Sequence, residues 1–222
     1  MTLMTYLLRV QLPDIPGSLG YLAAALGEVN GDIRSVDVVD YGTDGTVIDD
    51  LVVDIPHDTL PDALITAAQS LDDVEVDSIR PFSGTVDRRG QIRMLAKLAK
   101  AKKATQAFQG LVDGLPGTMT AGWALVLENG RDGSRRLVAS DAAPEDDGRV
   151  LHSSPVDSAR VLELDTDDWL PDSWTVMESS LAAAPMGQWY TLIMGRPGGP
   201  DFLATEVEHL GRIGDIVGAI VN

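Results

Sequence analysis

The 222-residue chain contains no cysteine. Disulfides, a thiol nucleophile and thiolate metal ligation are therefore excluded. Histidine is scarce: His57, His152 and His209 are the only three, and none sits at metal-ligand spacing. Positive charge is also short, with 17 Lys and Arg against 34 Asp and Glu and a net charge of -17. Such a surface repels phosphates and anionic lipid, so neither nucleic acid nor membrane is expected as a partner. No run approaches the roughly 20 apolar residues of a membrane span. Met1 to Val10 lacks a basic region and a long apolar run, so the expectation is no signal peptide and a cytoplasmic protein. A phosphate loop of Walker type is missing too, because Gly110 to Gly117 and Gly195 to Gly199 lack its lysine.

What is present is organised around Pro13-Asp14-Ile15-Pro16-Gly17-Ser18-Leu19-Gly20. A β-rich run, Tyr6 to Leu12, precedes it. Leu19, Leu22, Ala23, Leu26 and Val29 follow at helical spacing. The stretch reads as a strand-to-helix turn, with Ser18 as N-cap and Pro16 as the breaker before it. The free N–H groups and positive dipole of a helix start suit a carboxylate. The plainer reading is an ordinary βα turn. Asn30-Gly31 signals a left-handed helix stop. Strands are expected over 33–40 and 46–55, a helix over 60–71 and a last strand over 74–79.

The order βαββαβ, with the Asp14 to Leu19 turn and the step Val29-Asn30-Gly31-Asp32-Ile33, resembles an ACT domain over residues 4–81. The resemblance implies a ferredoxin-like fold that binds a free amino acid, often at a subunit interface. By resemblance Asp14, Ile15, Gly17, Ser18 and Leu19 form the binding turn, and Asn30 and Ile33 its facing edge. The sequence departs from the family in placing Gly31-Asp32 between Asn30 and Ile33.

After a linker over 81–85, residues 87–111 read as one long helix with Ile92, Leu95, Ala96, Ala99, Phe108 and Leu111 on its apolar side. Arg89, Arg93, Lys97 and Lys100 share a face, and seven basic residues fall in this stretch. The plain reading is a solvated helix side; the alternative is a docking face for an acidic protein partner. Aromatic interleaving and a groove-reading motif are missing, which argues against DNA. Leu115-Pro116-Gly117 is expected to close the helix. Strands are expected over 121–128, 136–140, 161–164, 174–178 and 188–195, with a long flexible acidic loop over 141–158 and a helix over 201–221. Asp165, Asp167 and Asp168 read as a solvated acidic loop, since the glycine of a calcium loop is absent. Gly211, Gly214 and Gly218 suggest close helix packing.

The C-terminal third, Ala184-Pro185-Met186-Gly187-Gln188 through Arg196, then Gly198, Gly199, Phe202, Glu206, Leu210 and Ile213, resembles a GAF-type domain. The lack of cysteine excludes a thioether-linked bilin. The expected class is α+β: an ACT-like domain over 1–82, a connecting helix over 83–113, and a GAF-like α/β sandwich with an antiparallel sheet over 114–222. No cofactor or metal is expected. His152-Ser153-Ser154 does not make a nucleophile–base pair, because adjacent Ser and His are usually accidental neighbours. The resulting expectation is a non-catalytic regulatory homodimer that binds a free amino acid, its long helix coupling the two domains. The alternative is an enzyme with its active site in the C-terminal domain, under control of the first.

Overall fold

The computed structural model describes residues 3–82, 88–152 and 156–221. The chain divides into two compact units, Met1–Ser83 and Gly84–Asn222.

Unit 1 runs β1 (Leu3–Pro13), α1 (Ser18–Glu28), β2 (Asp32–Tyr41), β3 (Thr46–Pro56), α2 (Asp62–Gln69) and β4 (Glu75–Pro81). Its sheet has the order β2-β3-β1-β4, and every neighbouring pair is antiparallel. Alternation decides which side chains face the helices. Tyr6, Leu8, Val10 and Leu12 of β1 and Val47, Leu51, Val53 and Ile55 of β3 pack on Leu22 and Leu26 of α1 and Leu64 and Ala68 of α2. The other face carries a charged pair. Arg9 donates twice to Asp50, through Nε at 2.7 Å and Nη2 at 2.9 Å.

The stop of α1 is specified closely. Asn30, not Gly31, takes the left-handed conformation, at φ 62°. The Asn30 N–H donates to Gly27 and the Gly31 N–H to Leu26, the paired bonds of a Schellman cap. Gly31 is needed for space: a Cβ there would lie 2.8 Å from the Leu26 carbonyl oxygen.

Unit 2 runs α3 (Arg88–Leu98), α4 (Ala104–Thr118), β5 (Trp123–Gly130), β6 (Gly133–Ala139), β7 (Arg160–Leu162), a short 3-10 turn (Asp172–Trp174), β8 (Ser180–Met186), β9 (Tyr190–Arg196) and α5 (Ala204–Val221). Its antiparallel sheet has the order β6-β5-β9-β8-β7. One face packs on all three helices through Ala124, Val126, Ala182, Ala184, Leu192 and Met194. The second face buries Trp123, Leu125, Leu127, Leu181 and Ile193 beneath Trp174 and Val156.

Four expectations are corrected here. The single helix over 87–111 is two helices, because the chain tightens at its end (Lys100 N–H to Lys97, Ala101 N–H to Leu98) and Lys103 is extended. Reversal lets Met94 and Leu98 of α3 join Phe108 and Leu111 of α4 in one core, and leaves Ile92 exposed instead of on the apolar line. Pro116 lies inside α4, in its last turn, and does not close it before Thr118. The strand over 174–178 is absent: Met177 and Glu178 have positive φ, which a strand does not admit. The strand is Ser180–Met186 instead. Finally, the glycines of α5 serve a strand, not another helix. A Cβ at Gly214 would lie 2.5 Å from the Pro185 carbonyl oxygen, and one at Gly218 would lie 2.8 Å from the Gly187 nitrogen. Gly214 and Gly218 are spent on β8 and its turn and Gly211 on Ala159, where a Cβ would lie 2.9 Å from the Ala159 Cβ, so the line is not a helix–helix surface for a dimer.

Candidate functional site

The β1–α1 turn is built by a short set of backbone bonds. The Asp14 N–H donates to Gly45 at 2.9 Å, tying the turn to the β2–β3 hairpin, and the Ile15 N–H to Pro13 at 2.9 Å. The Ser18 N–H donates to Ile15 at 3.2 Å and the Tyr21 N–H to Gly17 at 3.1 Å. Gly17 occupies the position before the helix with φ 100°, a conformation open to glycine at little cost. Ser18 is thus the first helical residue and makes no side-chain cap, contrary to the expectation that it is the N-cap. Among the described residues no backbone acceptor takes the amides of Gly17, Leu19 or Gly20. A Cβ built on Gly20 meets nothing within 4 Å. Asp14 and Gly17 are exposed, Ile15 is 64% exposed and Leu19 38%. The turn is therefore a solvent-exposed surface with helix-start donors.

Asn30 and Ile33 do not face it within one chain. Ile33 pairs with Val53, which pairs with Tyr6, whereas the turn follows Pro13, which pairs with Thr46. Seven strand residues separate the two rows, roughly 23 Å. The expected facing edge is at the opposite end of the sheet because α1 runs back along it before β2 begins.

Asp49 was not singled out by the sequence reading and stands out in the structure. It is 3% exposed, and its Oδ1 has no hydrogen-bond partner among the described residues. Val10 lies across from it on β1 and Val38 on β2, so it sits on the helix-facing side. Burial pushes its pKa up, and the negative charges of Asp50, Asp37 and Asp14 push it the same way. Its signal in the sequence is an interruption: Val47, Asp49, Leu51 and Val53 alternate as core positions, with one carboxylate among them.

In unit 2 the notable polar side chains hold the fold. Arg196 is fully buried. It donates to the Met119 and Thr120 carbonyls at the end of α4, pairs with Glu206 at 2.6 Å, and lies 4.1 Å over the Phe202 ring. Asp167 accepts from Arg160 at 2.6 and 2.7 Å, from the Glu163 N–H at 2.8 Å and from the Trp169 indole at 3.0 Å. Those bonds, the Arg160 pair first, hold its pKa near 2 against the opposing effect of burial. Asp167 is thus a buried anchor, not part of a solvated loop, while Asp165 and Asp168 are exposed. Arg136 donates to the Pro144 carbonyl at 2.6 Å and lies 6.0 Å over Trp174. Beside it is a cavity of about 10 Å³, room for about one water. Burial lowers the Arg136 pKa.

The basic residues Arg93 and Lys97 border a concavity of about 480 Å³ between α3 and α4, with Met94, Leu98 and Asp113. His209 meets the Gln91 side-chain oxygen at 3.0 Å on the surface. Ser153 and Ser154 lie outside the described residues. Among the described residues no group of three or more His, Asp or Glu could hold a metal ion, and no helix is long and apolar enough to cross a membrane.

No protein-family model matches the chain, and no curated protein matches it. Among solved structures, the GAF domain from an Acinetobacter phosphoenolpyruvate-protein phosphotransferase is similar at 12% identity with a TM-score of 0.50, over 60% of this chain and 90% of that one. The phycoerythrobilin-bound GAF domain from a cyanobacterial phytochrome is similar at 13% identity with a TM-score of 0.47, over 60% and 92%. At such identity a likeness speaks for the fold alone, and unit 1 is too short to supply 60% of the chain. The chain therefore contains a GAF-like fold, with unit 2 as the part large enough to form it.

Proposed function

We propose that the protein is a non-catalytic regulatory protein in which unit 1, as an ACT-type ferredoxin-like domain, binds a free amino acid at the β1–α1 turn and the GAF-like unit relays that binding. The carrying observation is the turn: three amides without a backbone acceptor at the positive end of an 11-residue helix, behind a left-handed Gly17. That end of a helix suits an α-carboxylate. The βαββαβ order and the antiparallel β2-β3-β1-β4 sheet support the reading. Asn30 and Ile33, at the other end of the sheet, join this site only from a second copy, so a homodimer belongs to the proposal.

A thermal-shift screen of the full chain with the twenty amino acids, each at millimolar concentration, tests it. A ligand present at 100 times its dissociation constant raises stability by roughly 2.7 kcal/mol. Absence of a melting shift with every amino acid would overturn the reading.

A further inference from the structure

All four lysines of the chain fall within residues 97–103, where α3 turns back into α4. Residues 88–112 hold seven basic residues and no acidic one, in a chain of net charge -17. Lys97, Lys100, Lys102 and Lys103 are exposed, and none pairs with a carboxylate among the described residues. The cations that carboxylates do hold are arginines, as in Arg9–Asp50, Arg160–Asp167 and Arg196–Glu206. The island is also placed against local stability. Arg93, Lys97 and Lys100 repel one another at spacings of four and three. Lys102 and Lys103 stand at the positive end of α4, which has no acidic residue in its first turn and no side-chain cap. A helix side that served folding alone would carry acids there. This charge is left for an anion from outside.

The concavity between α3 and α4 runs beside the island. Arg93 and Lys97 form one rim, Met94 and Leu98 the floor, and Gly110 and Gly114 leave the α4 wall without side chains. Asp113 also borders it and accepts from the Gln109 side chain at 2.8 Å. Residues 93, 94, 97 and 98 share one helical face, so cations and apolar floor are presented together. Ile92, on the far side of the cationic ridge, is 72% exposed.

We propose that the α3–α4 concavity and its lysine ridge dock an acidic amphipathic helix of a partner protein. Its carboxylates meet Arg93, Lys97 and Lys100, and its apolar side chains enter between α3 and α4. The 11 residues of α3 span roughly 16 Å, which one partner helix of about three turns matches. A nucleic acid duplex or an anionic bilayer reaches past the island onto acidic surface, and a screening length of about 8 Å does not let the lysines offset that repulsion. A second copy meeting this face about a two-fold axis sets lysine against lysine. The proposal is independent of amino-acid binding by unit 1.

The test selects random displayed peptides of about 14 residues, roughly 21 Å as a helix, on the full chain. Enriched peptides are synthesised and titrated by fluorescence anisotropy against the native chain and against Lys97→Glu/Lys100→Glu, whose fold circular dichroism checks. They should be rich in Asp and Glu, with apolar residues three and four apart, and should bind the double variant about tenfold more weakly or worse. Raising salt from about 0.1 M to 1 M shortens the screening length from about 10 Å to 3 Å and should weaken binding to the native chain, as should replacing the peptide's apolar residues by serine. Enrichment only of peptides without acidic residues, or equal binding by the double variant, overturns the proposal. If the double variant does not fold, the salt and serine titrations on the native chain decide, and indifference to either overturns it. Two further outcomes give the face to another occupant and also overturn it: a dimer that the double variant abolishes, or binding of duplex DNA or anionic vesicles that the double variant abolishes.

Discussion

Asp165 and Asp167 are two residues apart and physically unlike. Asp165 is exposed to water, whereas Asp167 is buried against Arg160, the Glu163 amide and the Trp169 indole. The folded-state pKa of Asp167 is lowered from 3.8 to about 2. Its stabilisation is therefore complete above the unfolded value and lost as pH falls through the folded one. That difference corresponds to about 2 kcal/mol at neutral pH. Asp167→Asn should lower the urea stability of the chain by about that amount at pH 7, with the gap closing as the native chain is acidified towards pH 2. Asp49 works with the opposite sign. Its folded pKa is raised, so its ionised form opposes folding, and this penalty fades as pH falls from above the folded pKa towards the unfolded one. Asp49→Asn should raise the stability of the ligand-free chain at pH 7, and urea titration of both variants side by side checks the two signs together. At the turn, Gly17 is required by conformation more than by room: its nearest obstacle is Tyr21 at 3.7 Å, but its φ is 100°. Gly17→Val should destabilise by about 1–3 kcal/mol and abolish any amino-acid-induced melting shift.

Packing of α5 on β8 shows what a helix and a strand demand of each other when they approach closely. The strand Ser180–Met186 carries alanine at 182, 183 and 184, and the helix answers with glycine at 214 and 218. Gly214→Val should destabilise by about 1–3 kcal/mol or more, because the added atoms meet backbone and not a side chain that could move. Gly27→Ala in α1, where a Cβ meets nothing within 4 Å, should instead stabilise by up to about 1 kcal/mol. Chemical denaturation of the pair separates close packing from helix propensity. The same contact explains why β8 was illegible in the sequence. Leu-Ala-Ala-Ala has neither alternation nor β-branching, and its strand character comes from being buried on both faces between β7 and β9. The break between α3 and α4 was equally silent, since neither glycine nor proline marks residues 99–103; the shared core imposes it. The elements of unit 1 were readable because each buries one side and exposes the other. The binding turn was readable from its prolines and glycines, but not Asp49, whose significance depends on which face β3 turns to the helices.

For the molecule as a whole, the unit 1 sheet ends in two edge strands, β2 and β4, and open edges invite pairing. A dimer is expected by light scattering at tens of micromolar; a monomer with and without amino acid would sink that part of the proposal. Relay between the units has its own measurement. Hydrogen exchange with and without amino acid should change protection beyond residue 83, in the α3 and α4 segments; changes confined to unit 1 would mean that binding is not passed on. The Trp123, Trp169 and Trp174 cluster gives a second readout. All four tryptophans of the chain lie in unit 2, and three of them cluster on its second face. Unit 1 contains tyrosines but no indole. Emission excited at the red edge, where tyrosine does not absorb, is therefore a reporter of unit 2 alone: the unlabelled protein already carries its own optical probe in the unit that lacks the binding turn, and a spectral change on adding an amino acid would be the relay itself seen as light.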